Sequence, residues 1–86
     1  MEITGTIKLI RDTQVISDKF RKREFVVTME NGNYPQDILF QLAQDKCDWL
    51  DSYQEGQKVD VQFNLKGRQN NDKFYNTLEC WRLSKI

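Results

Sequence analysis

Apolar and polar residues alternate most cleanly over residues 58–68. Val59, Val61, Phe63 and Leu65 fall on one side there, and Lys58, Asp60, Gln62, Asn64, Lys66 and Arg68 on the other. A two-residue period of this kind marks a strand with one face on a core and one in water. Residues 3–9, Ile-Thr-Gly-Thr-Ile-Lys-Leu, show the same period, and Gly5 within them predicts a bulge or sharp bend where a barrel turns a corner. Residues 23–30 repeat it, with Phe25, Val27 and Met29 opposite Glu24, Val26, Thr28 and Glu30. Asn31-Gly32 follows at once and supplies the positive φ angles of a tight hairpin, so the second and third strands should pair antiparallel. The third strand runs from about Tyr34 to Leu42, with Pro35 at its start or on an edge. Tyr34, Gln36, Ile38 and Phe40 share one of its faces, and Leu39 points the other way. A last strand from Tyr75 to Leu83 bears Leu78, Cys80, Trp81 and Leu83.

Between the third and fourth strands the period changes. Cys47, Leu50 and Tyr53 recur every third residue, one stripe of a short helix between residues 44 and 55. Asp45 is the expected N-cap and Gly56 the residue able to close the helix. Asp48 and Asp51 occupy the other face, with Trp49 beside them. Residues 10–22 and 67–73 are polar and uneven, and read as loops. The order is three strands, a helix, then two strands. An α+β sheet with a helix on one face accommodates that string. A five-stranded OB-fold Greek-key barrel, with a helix between strands three and four, matches it element for element. The prediction is therefore a single all-β OB domain over residues 1–86.

With 86 residues, 38% of them hydrophobic, the chain has room for one modest core. It opens on Met1-Glu2 without a basic-plus-apolar leader and holds no apolar run near the ~20 residues of a membrane span, so a cytoplasmic protein with no membrane partner is expected. There is no histidine, which removes Ser-His-Asp and Cys-His nucleophilic catalysis and imidazole metal sites. The four glycines are scattered, so no glycine-rich loop cradles a phosphate. Cys47 and Cys80 are far apart and read as reduced core thiols. These absences predict a protein that is not an enzyme and uses no cofactor, metal or small-molecule substrate. Thirteen cations balance thirteen carboxylates, but not evenly. Residues 1–30 hold six Lys/Arg against five Asp/Glu, residues 31–57 one against five, and residues 58–86 six against three. Both ends are basic and the middle is acidic.

One stretch carries a family resemblance. Ile38-Leu39-Phe40, then a short helix, then Glu55-Gly56-Gln57-Lys58-Val59-Asp60-Val61 and Leu65-Lys66-Gly67-Arg68 resembles the bacterial single-stranded DNA-binding protein family. There a Val-Leu-Phe strand leads through a helix into a Lys-Gly-x-x-Val-x-Val strand and a basic tip. Tyr75, Thr77 and Glu79 look like that family's Tyr-Thr-Thr-Glu strand, displaced by a residue or two. The whole chain also resembles a family of small bacterial proteins described only as a domain of unknown function. It departs from the DNA-binding pattern at Phe63, where a glycine is usual, and at Gln69 and Asn70, beyond the basic tip, where a tryptophan is usual. It ends on Leu83-Ser84-Lys85-Ile86 without an acidic-hydrophobic extension, so no recruiting role is carried over.

The resemblance implies base-stacking roles for Tyr34 and Phe40, which strand parity sets on one face with Ile38. The competing assignment puts Phe40 in the core and Tyr34 against the hairpin. From the residues themselves, Phe20-Arg21-Lys22-Arg23 sets a ring beside three cations in the stretch feeding strand two. Lys66, Arg68, Lys73, Phe74 and Tyr75 do the same near the loop between the last two strands. In OB folds those two loops flank the ligand groove, so the clusters are expected to straddle it. The alternative for each is a solvated charge run on a barrel rim. Trp49 is assigned to packing or an oligomer contact, and Trp81 to core or interface. The expected function is low-specificity binding of single-stranded DNA, with RNA as the alternative strand, by a homodimer or homotetramer. A protein-interaction scaffold is the rival reading.

Overall fold

The computed structural model describes residues 1–30 and 33–86. Its strands are β1 (Glu2–Ile10), β2 (Gln14–Ser17), β3 (Phe20–Met29), β4 (Gln36–Ala43), β5 (Lys58–Asn70) and β6 (Lys73–Lys85). A 3₁₀ helix, η1 (Gln44–Ser52), joins β4 to β5. β1 serves both halves of the molecule. Its Glu2–Thr6 portion pairs antiparallel with β5, and its Thr6–Ile10 portion with β3. β3 pairs antiparallel with β4, and β5 with β6. One parallel bridge, Gln41 to Glu79, joins β4 to β6 and closes the ring. The closed order β1-β3-β4-β6-β5 is that of an OB barrel.

Inside the ring sit Ile7, Phe25, Val27, Phe40, Leu42, Val59, Val61, Phe63 and Cys80, with Leu50 of η1 closing one end. Burying each large side chain is worth roughly 1.5–3 kcal/mol. The Phe40 ring stacks on Phe25 at 5.5 Å and meets Phe63 edge-on at 5.1 Å. Gly5 lies where β1 changes partners. A Cβ there would meet Val27 Cγ1 at 2.6 Å and the Thr28 carbonyl oxygen closer still, so only glycine lets β3 approach. The strand irregularity itself falls further on, between Ile7 and Leu9.

Several boundaries differ from expectation. Residues 10–22 are not one long loop: β2 forms a short hairpin with the start of β3, a sixth strand beside the ring. Val15 and Ile16 on β2 are exposed, so no buried face stamps a period on this stretch. Pairing of β3 with β4 ends at Met29 opposite Gln36, so Tyr34 precedes the strand. The Asn31-Gly32 turn lies outside the described residues. β5 and β6 run on through Gly67–Asn70 and from Lys73, joined only by Asn71-Asp72, with Asn71 at φ 58°. This arm leaves the barrel, and Leu65, expected inward, is 57% exposed on it. The helix starts at Gln44 after Ala43, with no side-chain cap, so Asp45 falls in the first turn. Gly56 (φ 92°) sits in the turn beyond the helix, donating its N–H to the Ile7 carbonyl at 2.7 Å.

Candidate nucleic-acid interface

Strand parity decides what the outer sheet presents. On β3, Phe25 and Val27 point inward, so Phe20, Lys22 and Glu24 face out. On β4 the buried pair is Phe40 and Leu42, which leaves Leu39 and Gln41 outside. On β6, Cys80 is buried and Leu78 packs against the core, so Lys73, Tyr75, Thr77 and Glu79 face out. Opposite them in register on β5 stand Lys66 (with Thr77) and Arg68 (with Tyr75).

Most of these outward residues line a groove of about 530 Å³ between the β2–β3 hairpin and the β5–β6 arm. Ile16 and Phe20 form one bank, Lys66, Arg68 and Tyr75 the other, and Lys22, Gln41, Thr77 and Glu79 lie between. The groove continues toward Leu39 on β4. The Arg68 guanidinium sits 5.7 Å from the Tyr75 ring centroid, holding a cation and a π-face together. Lys66 Nζ is 3.1 Å from a Glu79 carboxylate oxygen, and both groups remain solvent-accessible.

Of the ten residues singled out in the sequence, Phe20, Lys22, Lys66, Arg68 and Tyr75 come together in the groove. Lys73 shares their face at the arm tip, beside Asn70. The other four do not join them. Arg21 and Arg23 lie on the opposite face of β3, in line with Phe25 but beyond the barrel end, against η1. Arg21 reaches Asp48 at 3.4 Å and Asp45 at 3.5 Å. Arg23 donates to Asp51 at 2.8 Å, the Arg11 carbonyl at 2.7 Å and the Cys47 carbonyl at 3.2 Å. Phe40 is fully buried and has no face to offer a base. Tyr34 is 79% exposed, outside the groove. The face expected to stack bases, through Ile38 and Phe40, is the core face. Leu39 and Gln41 replace it, and the two-residue period of β4 marks them as soon as Phe40 is placed inside.

Neither thiol is a reactive group here. Cys47 and Cys80 are free and buried, and burial pushes both thiols up, Cys80 to about 11. Among the described residues, no three His, Cys, Asp or Glu side chains are grouped to hold a metal ion. No helix among them is long and apolar enough to cross a membrane.

A family model described as Domain of unknown function (DUF3127) matches residues 2–84. No curated protein sequence matches the chain. Among solved structures, it is similar to the mitochondrial single-stranded DNA-binding protein Rim1 of S. cerevisiae, with a TM-score of 0.82 at 12% identity, covering 100% of this chain and 92% of that one. The N-terminal domain of PriB from Thermoanaerobacter tencongensis, described as dimeric, gives 0.76 at 10% identity, covering 100% and 93%. The single-stranded DNA-binding protein of Thermus aquaticus gives 0.76 at 14% identity, covering 99% of this chain and 39% of that one. At such identities the likeness is one of fold, and that fold is the OB barrel.

Proposed function

The chain belongs to the DUF3127 family, and we propose that it binds single-stranded nucleic acid, DNA first, with little sequence preference and without making or breaking bonds. One observation carries this reading: Lys22, Lys66 and Arg68 surround the Phe20 and Tyr75 rings in a single outward groove. Cations neutralise phosphates and ring faces accept bases of any identity, which is how non-specific single-strand binders work. The similarity in fold to Rim1 and the Thermus aquaticus protein, both single-stranded DNA-binding proteins, supports the choice of ligand. Lys73 at the arm tip is assigned a peripheral phosphate contact. Arg21, Arg23, Tyr34 and Phe40 lie outside the site and take no part in it. We assign the protein to the cytoplasm and to a homodimer or homotetramer, supported by exposed Trp81 on β6 and by the description of PriB as dimeric. Light scattering that finds only monomer at tens of micromolar, about the range where a stable interface is populated, removes the oligomer.

The test is the affinity of a labelled oligothymidylate as a function of salt. Three phosphate contacts give a slope of about −2 in log K against log salt, at roughly −0.7 per contact. Replacing Lys22, Lys66 and Arg68 together by Ala should flatten that slope. Tyr75→Ala should cost about 1–3 kcal/mol and leave the slope alone, because stacking releases no counterions. A parent protein that binds no oligonucleotide, RNA included, sinks the reading and leaves the protein-interaction scaffold in its place.

A further inference from the structure

The 3₁₀ period of η1 sorts its residues into three ridges, because side chains three apart eclipse one another. Asp45, Asp48 and Asp51 form the ridge that meets Arg21 and Arg23. Cys47 and Leu50 of the second ridge are buried, with half-buried Tyr53 continuing their line beyond the helix. The third ridge, Lys46, Trp49 and Ser52, belongs to neither set. Trp49 is 37% exposed and lines a cavity of about 420 Å³ with Ser52, Tyr53, Arg82, Leu83 and Lys85. No carboxylate side chain lines it. Lys46 Nζ stands 5.8 Å from the centroid of the Trp49 ring, and Lys85 Nζ 5.1 Å from that of Tyr53.

This cleft is separate from the groove but lies on the elements that lead out of it. The Gln41–Glu79 bridge lies in the groove, β4 runs straight into η1, and Arg82 stands three residues beyond Glu79 on β6. At the rise of a strand that gap is about 10 Å. The acidic ridge does not bar the way, since its carboxylates face Arg21 and Arg23 on the β3 side.

We infer that a single strand long enough to leave the groove continues along β6 into this cleft, stacks a base on Trp49, and meets Lys46, Arg82 and Lys85 with its phosphates. The inference rests on the nucleic-acid reading above. The short path along β6, the lining of cations without carboxylates and the shared pairing of cations with ring faces select a nucleic acid over a peptide as the occupant.

The experiment uses strand length. Trp81→Phe leaves Trp49 as the sole indole, whose emission is followed during titration with oligothymidylates across the range of about 4–16 nucleotides that OB folds occupy. The shortest strands should bind in a Tyr75-dependent way without altering Trp49 emission, and the longest should quench it. In the parent background, Trp49→Ala should weaken long strands by roughly five- to hundredfold and leave short ones unchanged. Should Trp49→Ala melt early, the joint change Lys46→Gln, Arg82→Gln and Lys85→Gln reads the same length dependence without touching the core. Tyr75-dependent binding with Trp49 silent at every length overturns the cleft and leaves the groove standing. Loss of all oligonucleotide binding removes both. Quenching of Trp49 by a glutamate-rich peptide bearing phenylalanine, and by no strand, assigns the cleft to a protein partner instead.

Discussion

Arg23 gathers three acceptors on one guanidinium and joins β3 to η1 and to the connection after β1, with only 14% of its side chain exposed. Arg23→Ala leaves the part-buried Cys47 carbonyl without its donor and should cost about 1–3 kcal/mol, which at about 4–8 °C per kcal/mol lowers Tm by roughly 4–20 °C in a calorimetric scan. Arg21→Ala, at a more exposed pair, should cost under about 1 kcal/mol. Neither should change the salt slope of binding. Phe40 and Leu39 make the same contrast on β4. Phe40→Ala opens the centre of the ring and should cost roughly 3–5 kcal/mol in a denaturant titration, a large share of the ~5–15 kcal/mol that holds a domain folded. Leu39→Ala, 47% exposed, should leave the melt nearly unchanged and weaken strand binding. Cys80 supplies a pH test. Its thiol titrates near 11 in the fold against an ordinary 9.0, so the native state holds a proton that the unfolded chain releases. Stability should be intact below pH 9 and fall between 9 and 11. Cys80→Val should shrink that alkaline decline, leaving the part that comes from Cys47, whose thiol is also pushed up by burial. An unchanged pH profile refutes the assignment.

Elements with one face on the core were legible in the sequence, and those standing off it were not. The alternation of Val59, Val61 and Phe63 holds because each side chain is buried. Past Phe63 the same strand leaves the barrel, both faces meet water, and the polar run Gly67–Lys73 reads as a loop although it is mostly paired strand. β2 was missed for the same reason. The site failed at a different step. Phe20-Arg21-Lys22-Arg23 looked like one cluster because its members adjoin in sequence, yet successive residues of a strand face opposite ways. Extending the parity of Phe25 back by two and four residues separates Arg21 and Arg23 from Lys22. For η1, the spacing Cys47-Leu50-Tyr53 held the answer already, since a strict period of three belongs to a 3₁₀ helix. With no core contact from Asn64 and Leu65 outward to Phe74, the arm should exchange its amides well before the barrel strands. A bound oligothymidylate should slow that exchange at Lys66–Arg68 and Tyr75–Thr77, as read by mass spectrometry.

At the scale of the whole molecule, zero net charge conceals a division of labour. The acidic residues of η1 are matched by Arg21 and Arg23, which leaves the groove cations for an outside partner. Glu79 is the exception, because it holds Lys66 inside the groove itself. Glu79→Gln should therefore tighten strand binding at low salt, by removing the carboxylate that competes with phosphate for Lys66. Equal affinity for parent and variant means that Lys66 does not touch phosphate. The sharing of β1 between β3 and β5 has a consequence in time. Ile7 is next to Val27, only twenty positions along, whereas Ile3 must find Val61. A ribosome making this chain exposes the first four strands as an open meander, with the outer half of β1 unpaired until β5 emerges. Closure must then bring together strand positions more than fifty residues apart in sequence, which no pairing within the meander can do in advance. Such a topology places folding in the millisecond-to-second regime, and the slow event should be the docking of β5 into the gap kept for it by β1.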